Sequence, residues 1–524
     1  MIDSIFRRRV LAISLACATV LLGVTVSRAV LAQSDNDDNP CVGYPYPAGV
    51  VPCNLDPKID RVRQQIDQTE QQTLKRWESL PINSGTKVQQ IRILGKLLLF
   101  DKNLSVRRNT ACTFCHSTET GFTGPISEIN RTIVTYPGSV RYRFAQRRPM
   151  SYAYAPYSPV FHFNKTQQAF YGGNFWDMSA TGTKLQNPSA EQAQNPPVDP
   201  QEMGFPDSAC VVHRISQARY KPLFEAVWTT DPSSIDWPSN IDSVCDQPIQ
   251  GPTNPEDTGP VQLSKADRAF SNVIYDEMGL SITADEAGPD VSPFTSKFDY
   301  AIAHPDQQIL SQEEQEGWDL FRGKGKCNLC HLDSTTAVQK GFPETTPDQV
   351  PDTEPLFSDF QAFNLGLPKN THLPYYYESK PDSFGVTTNP MGFSYVDNGL
   401  GDFLRGPKNP NSKWAKYADA SDGKFQTATT RDVDKRPDPT FVKAYFHNGV
   451  IKDLKTVVHF YNTRDVLPRC AKGVDDPGFG TTCWPPPEVP KNIDQRIGDL
   501  GLTSDEEQDI VAFMKTLTDG YRPK

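Results

Sequence analysis

Two pentapeptides carry the plainest chemistry in this chain: Cys112-Thr113-Phe114-Cys115-His116 and Cys327-Asn328-Leu329-Cys330-His331. Two cysteines three positions apart can form thioethers to both vinyl groups of one haem, and the adjoining histidine supplies an axial ligand to its iron. With 11 Cys and 8 His in 524 residues, chance gives only about 0.003 such motifs. Zinc knuckles or a redox dithiol would use similar cysteine pairs, but neither needs a histidine directly after the second cysteine, twice. Cys112, Cys115, Cys327 and Cys330 are therefore expected to hold two covalently bound haem c groups, with His116 and His331 as iron ligands.

The elements that must position these motifs are mostly helical. Ser311-x-x-Glu314 and Thr503-x-x-Glu506 are capping boxes, in which side chain and backbone satisfy each other at a helix start. The second leads a helix through Ile510, Val511, Phe513, Met514 and Leu517 at helical spacing. Residues 60–79 read as a polar helix ending before Pro81. Alternating strand patterns are scarce, and 45 prolines and 34 glycines indicate long loops. The expected fold is mostly α: two cytochrome c-like haem domains with long loops and minor β. The expected division is a signal peptide at 1–32, an N-terminal arm and helix at 33–85, and a first haem domain at 86–300. That first domain includes an insertion at about 205–262, rich in Pro, Asp and Ser toward its end. The second haem domain follows at 301–524.

Arg7, Arg8 and Arg9, the apolar run Val10–Val26 and the small-residue site at Val30-Leu31-Ala32 read as an export signal. No later segment is apolar enough to span a bilayer, so no integral span is expected after signal removal. Six cysteines remain outside Cys17 and the two motifs. They fall into neighbouring pairs, Cys41 with Cys53, Cys210 with Cys245 and Cys470 with Cys483, which suggests three disulfides among 15 connectivities and an oxidising compartment such as the periplasm. A net charge of −10 without a basic stripe excludes nucleic acid as a partner class.

Beyond the haem motifs, the chain resembles the bacterial di-haem cytochrome c peroxidase/MauG family. The resemblance rests on Leu94-Gly95-Lys96 through Asp101, Gly121-Phe122-Thr123, Phe175-Trp176-Asp177, Glu191 through Pro196, and Pro200-Gln201-Glu202-Met203-Gly204. It continues in Gly317 through Gly323, Asp397 through Leu404, Phe425 through Val433, Phe446-His447-Asn448-Gly449 and Val457 through Asn462. These fragments run in order from about residue 90 to 520. The resemblance implies an oxidoreductase of the cytochrome-c peroxidase type that takes hydrogen peroxide at an open haem held by His116. Glu202 would be the distal carboxylate, Gln192 and Pro196 would shape its pocket, and Trp176 would relay oxidising equivalents between the haems. Where peroxidases of the family carry methionine, this chain has Tyr461, as in MauG, so Tyr461 is expected to ligate the second iron. No histidine lies between His116 and His162 to block the first iron; His162 itself reads as structural or surface.

The family's inter-haem calcium ion draws on an asparagine that is absent from Arg148 through Ala153, and Val442 and Ala444 replace its Thr and Pro; carbonyl oxygens remain as donors for one calcium. His213, His304, His372 and His459 match no pattern, and His447 is expected to hydrogen-bond near the second haem. The electron donor would be a small cytochrome c or a copper protein. Two alternatives stand beside the peroxidase: a MauG-like oxidase that modifies a partner protein, and a non-catalytic di-haem electron carrier, whose irons would both be saturated.

Overall fold

Thr86 opens the helix that precedes the first haem motif. Its hydroxyl accepts from Gln89 N while the Gln89 side chain accepts from Thr86 N, a reciprocal cap. The computed structural model describes residues 51, 55–80, 85–248, 259–333 and 354–523; the export signal and the Cys41/Cys53 pair fall outside them.

The polar helix α1 runs Asp56–Glu78, starting ahead of residue 60 because Pro57 and Asp56 suit a first helical turn. Helix α2, Lys87–Phe100, buries Leu94, Leu97, Leu98 and Leu99. These leucines pack with α3 (Ser208–Gln217), α4 (Lys221–Trp228) and α5 (Lys265–Glu286) in one hydrophobic core. The helices α3 and α4 lie within the stretch expected as an insertion, yet their apolar faces complete this core, and Cys210 of α3 is bonded to Cys245. Helix α2 crosses α5 where Gly95 leaves room: a Cβ there would stand 2.0 Å from Ser281 O.

The same arrangement recurs around the second motif. After α6 (Lys297–Ala303), helix α7 (Gln312–Arg322) starts at the Ser311/Glu314 box and leads to Cys327. It packs on the last helix, α9 (Ser504–Lys515), which opens with the Thr503/Glu506 box. Gly317 makes that crossing possible, since its Cβ would meet Asp509 O at 1.9 Å. Between these elements, α8 (Leu454–Thr463) contributes Leu454 and Val458 to a core with Phe298, Phe321, Phe357, Ile510 and Phe513.

Among the described residues, strand structure is limited to two short antiparallel pairs. Strand β1 (His162–Asn164) pairs with β2 (Ala169–Tyr171), and β3 (Ala362–Phe363) with β4 (Phe425–Gln426). Strand β4 matters for function, because Gln426 N donates to Trp176 O at 2.8 Å and Gln426 Nε2 donates to Gly173 O at 2.6 Å. Cys470 and Cys483 form the second disulfide. Among the described residues no helix is long and apolar enough to cross a membrane. The fold is mostly helical with minor β.

Candidate haem sites and the wall between them

Each Cys-x-x-Cys-His motif forms a single 3-10 turn, Cys112–Phe114 and Cys327–Leu329, which brings both thiols and the following imidazole to one side. Cys112, Cys115 and His116 line one cavity of about 410 Å³. Cys327, Cys330 and His331 line a second, of about 190 Å³. His116 Nδ1 is fixed by the Phe122 carbonyl and His331 Nδ1 by the Phe357 carbonyl, each at 3.0 Å. That bond selects the tautomer whose Nε2 can bind a metal. Burial pushes His116 down to about 4 and keeps the imidazole neutral, as an iron ligand must be. Burial likewise pushes the Cys112 and Cys327 thiols up to about 12. Paired neutral thiols, a carbonyl-oriented imidazole and apolar walls fit a thioether-bound haem at both motifs.

The first cavity gathers the residues expected for peroxide chemistry. Glu202, Gln192, Pro196 and Trp176 all line it with His116. Glu202 sits in the loop after Asp199, with its amide donating to Asp199 O at 3.2 Å. Burial, then the Asp199 charge, raise its carboxyl to about 8. A second carboxyl, the buried Glu286 at the end of α5, also lines this cavity; it accepts from Ser189 Oγ and is pushed up to about 8 by burial. Sequence reasoning missed Glu286, since its distance from every motif hides that α5 returns beside Cys112. His116 is the single histidine lining this cavity. His162 instead bonds Val160 O through Nδ1 and stacks on Tyr171.

In the second cavity Tyr461 projects from α8 toward the motif, and burial followed by Cys330 and Cys327 raises its phenol above the usual range. His447 and Met514 line the same space. The His447 ring stacks on Phe425 with centroids 3.5 Å apart, and burial pushes it down to about 3. Met514 belongs to the apolar stripe of α9, so its approach to this cavity was hidden among core positions.

One wall is common to both cavities. Trp176, Arg148, Gln426, Thr427, Ala428 and Thr429 line each of them. Trp176 is 8% exposed, and its Nε1 donates to Arg148 O at 2.9 Å. The neighbouring Arg147 is held by Asp397 and Asp177 at 2.7–2.8 Å. The Trp176 ring, fixed by backbone and side-chain bonds, stands in the wall between the two cavities.

A sequence model described as di-haem cytochrome c peroxidase matches residues 89–248. The chain is similar to the methylamine utilization protein MauG of Paracoccus denitrificans, 27% identical over 435 residues, which cover 82% of this chain and 89% of that protein. It is also similar to the cytochrome-c peroxidase IdrP1 of Denitromonas iodatirespirans, 25% identical over 430 residues, covering 81% and 80% of the two chains. Among solved structures, the diheme peroxidase BthA from Burkholderia thailandensis shares the fold, with a TM-score of 0.56 at 24% identity over 82% of this chain and 86% of that one.

Proposed function

Because the chain belongs to the di-haem cytochrome c peroxidase/MauG family, we propose that it reduces hydrogen peroxide in the Cys112/Cys115/His116 cavity, with two electrons drawn through the second site from an external donor. Peroxide, two electrons and two protons give two waters. Haem held by Cys112, Cys115 and His116 would supply the iron for O–O cleavage, and haem held by Cys327, Cys330 and His331 an electron reservoir. The protein supplies proton handling, confinement and connection.

The observation that carries this reading is Glu202, a half-buried carboxyl in the same cavity as His116. As carboxylate, Glu202 takes the proton from one peroxide oxygen; as carboxylic acid, it returns that proton to the departing oxygen. A carboxyl poised near 8 interconverts both forms around neutral pH. Gln192 and Pro196 confine the substrate. Trp176, in the shared wall, would pass oxidising equivalents toward the second site, where His331 and Tyr461 would hold the iron. Tyrosine is a hard, anionic donor that stabilises ferric iron.

Tyr461, together with the single histidine in the first cavity, also favours a second reading: a MauG-like oxidation of residues on a partner protein. Two disulfides and the arginine-led apolar leader support export to the periplasm. Mixing the ferric di-haem protein with stoichiometric peroxide tests the proposal. A rapid change in the haem spectrum, followed by turnover with reduced small cytochrome c or copper protein, is expected of the peroxidase. The spectral change without donor turnover would assign the partner-oxidising reading, and no reaction at all would leave an electron carrier.

A further inference from the structure

Arg148 and two lysines, Lys443 buried and Lys452 half-buried, take backbone carbonyls as their hydrogen-bond partners. Arg148 lines both cavities, donates from Nε to Phe446 O at 2.9 Å, and holds its guanidinium 5.4 Å from the centre of the Trp176 ring. Lys443, 4% exposed, donates from Nζ to Thr120 O, Asp432 O and Lys435 O at 3.0–3.1 Å. Lys452 donates from Nζ to Asn130 O at 2.8 Å and Gly449 O at 2.7 Å. Among the described residues, no carboxylate pairs with any of the three. Three acceptors around Lys443 require three N–H donors, which an ammonium has and a neutral amine lacks.

These carbonyls come from both halves of the chain: Thr120 and Asn130 follow the first haem motif, and Asp432, Lys435, Phe446 and Gly449 follow the second. Converging carbonyl oxygens from separate segments are what a hard divalent cation takes as ligands. Here N–H groups already occupy them. Asn130, an amide within the cluster, turns Nδ2 toward Gly124 O and Val442 O, so those oxygens are committed too. A calcium ion brought to these carbonyls would have to displace the N–H donors of Arg148, Lys443 and Lys452, and the nearby carboxylates are already engaged, Asp432 with Lys435 and Asp434 with Arg436. The calcium expected from the family resemblance does not fit these residues.

We propose that Arg148, Lys443 and Lys452 form a built-in cation that replaces a divalent metal at the junction, tying the two haem segments together and fixing Trp176 through Arg148. The proposal stands whether or not peroxide is the substrate. The test uses the holoprotein with both haems. Treatment with EGTA, then excess calcium, should leave the resting EPR signals of both haems unchanged. Arg148→Gln and Lys443→Met should each lower the thermal midpoint by a few degrees and alter the haem signals, whereas Arg148→Lys should retain them. A change in either haem signal on chelation that calcium reverses would overturn the proposal. Wild-type signals and melting in Arg148→Gln would overturn it as well.

Discussion

At the scale of single residues, Glu202 carries the most weight. Its carboxyl is raised to about 8, so it is protonated below that pH and ionised above it. If ionised Glu202 takes the peroxide proton, the second-order rate with peroxide rises as pH increases through about 8. Glu202→Gln should flatten that profile and slow the reaction about 10²–10⁴-fold while both haems stay bound; stopped-flow absorbance across pH 6 to 9 reads both effects. Tyr461→Met exchanges an anionic donor for a thioether, and should raise the second haem's potential by on the order of 100 mV in a spectroelectrochemical titration. The cysteines and histidines of the two motifs were legible in the sequence because covalent attachment of a haem demands adjacent residues. Glu286, Arg148 and Lys443 were not, because burial and distant backbone partners define their roles, and a sequence pattern carries neither.

At the scale of elements, two helix crossings place the motifs. Gly95 and Gly317 each stand where a Cβ would strike backbone, at 2.0 Å and 1.9 Å, so each admits a partner helix and thereby sets the approach of the chain to its cysteine pair. Gly317→Val should force α7 from α9, cost about 3 kcal/mol, and lower the thermal midpoint with loss of the second haem's spectrum first. The capping boxes at Ser311 and Thr503 announced α7 and α9 in sequence because capping is local chemistry. The helices α3 and α4 were harder to read: their Pro- and Asp-rich continuation resembles a surface excursion, and only the disulfide partner of Cys210 and the leucines of α2 reveal that they are core. Strand β4 is two residues long, too short for any alternation to show, yet it holds Trp176 in its wall.

Across the whole molecule, two similar helical cores enclose two sites that differ in their linings. One pairs its histidine with a buried carboxyl and offers no second histidine; the other faces its histidine with a tyrosine, and a tryptophan stands in the wall between them. That asymmetry is what separates an enzyme from a carrier, because a carrier needs both irons saturated and a peroxidase needs one coordination position open. The EPR spectrum of the resting ferric holoprotein tests it most directly. A high-spin signal from the haem near His116 is expected beside a signal from a six-coordinate haem held by His331 and Tyr461, with only the first altered by a small anionic ligand. Two low-spin signals, neither altered by that ligand, would contradict it.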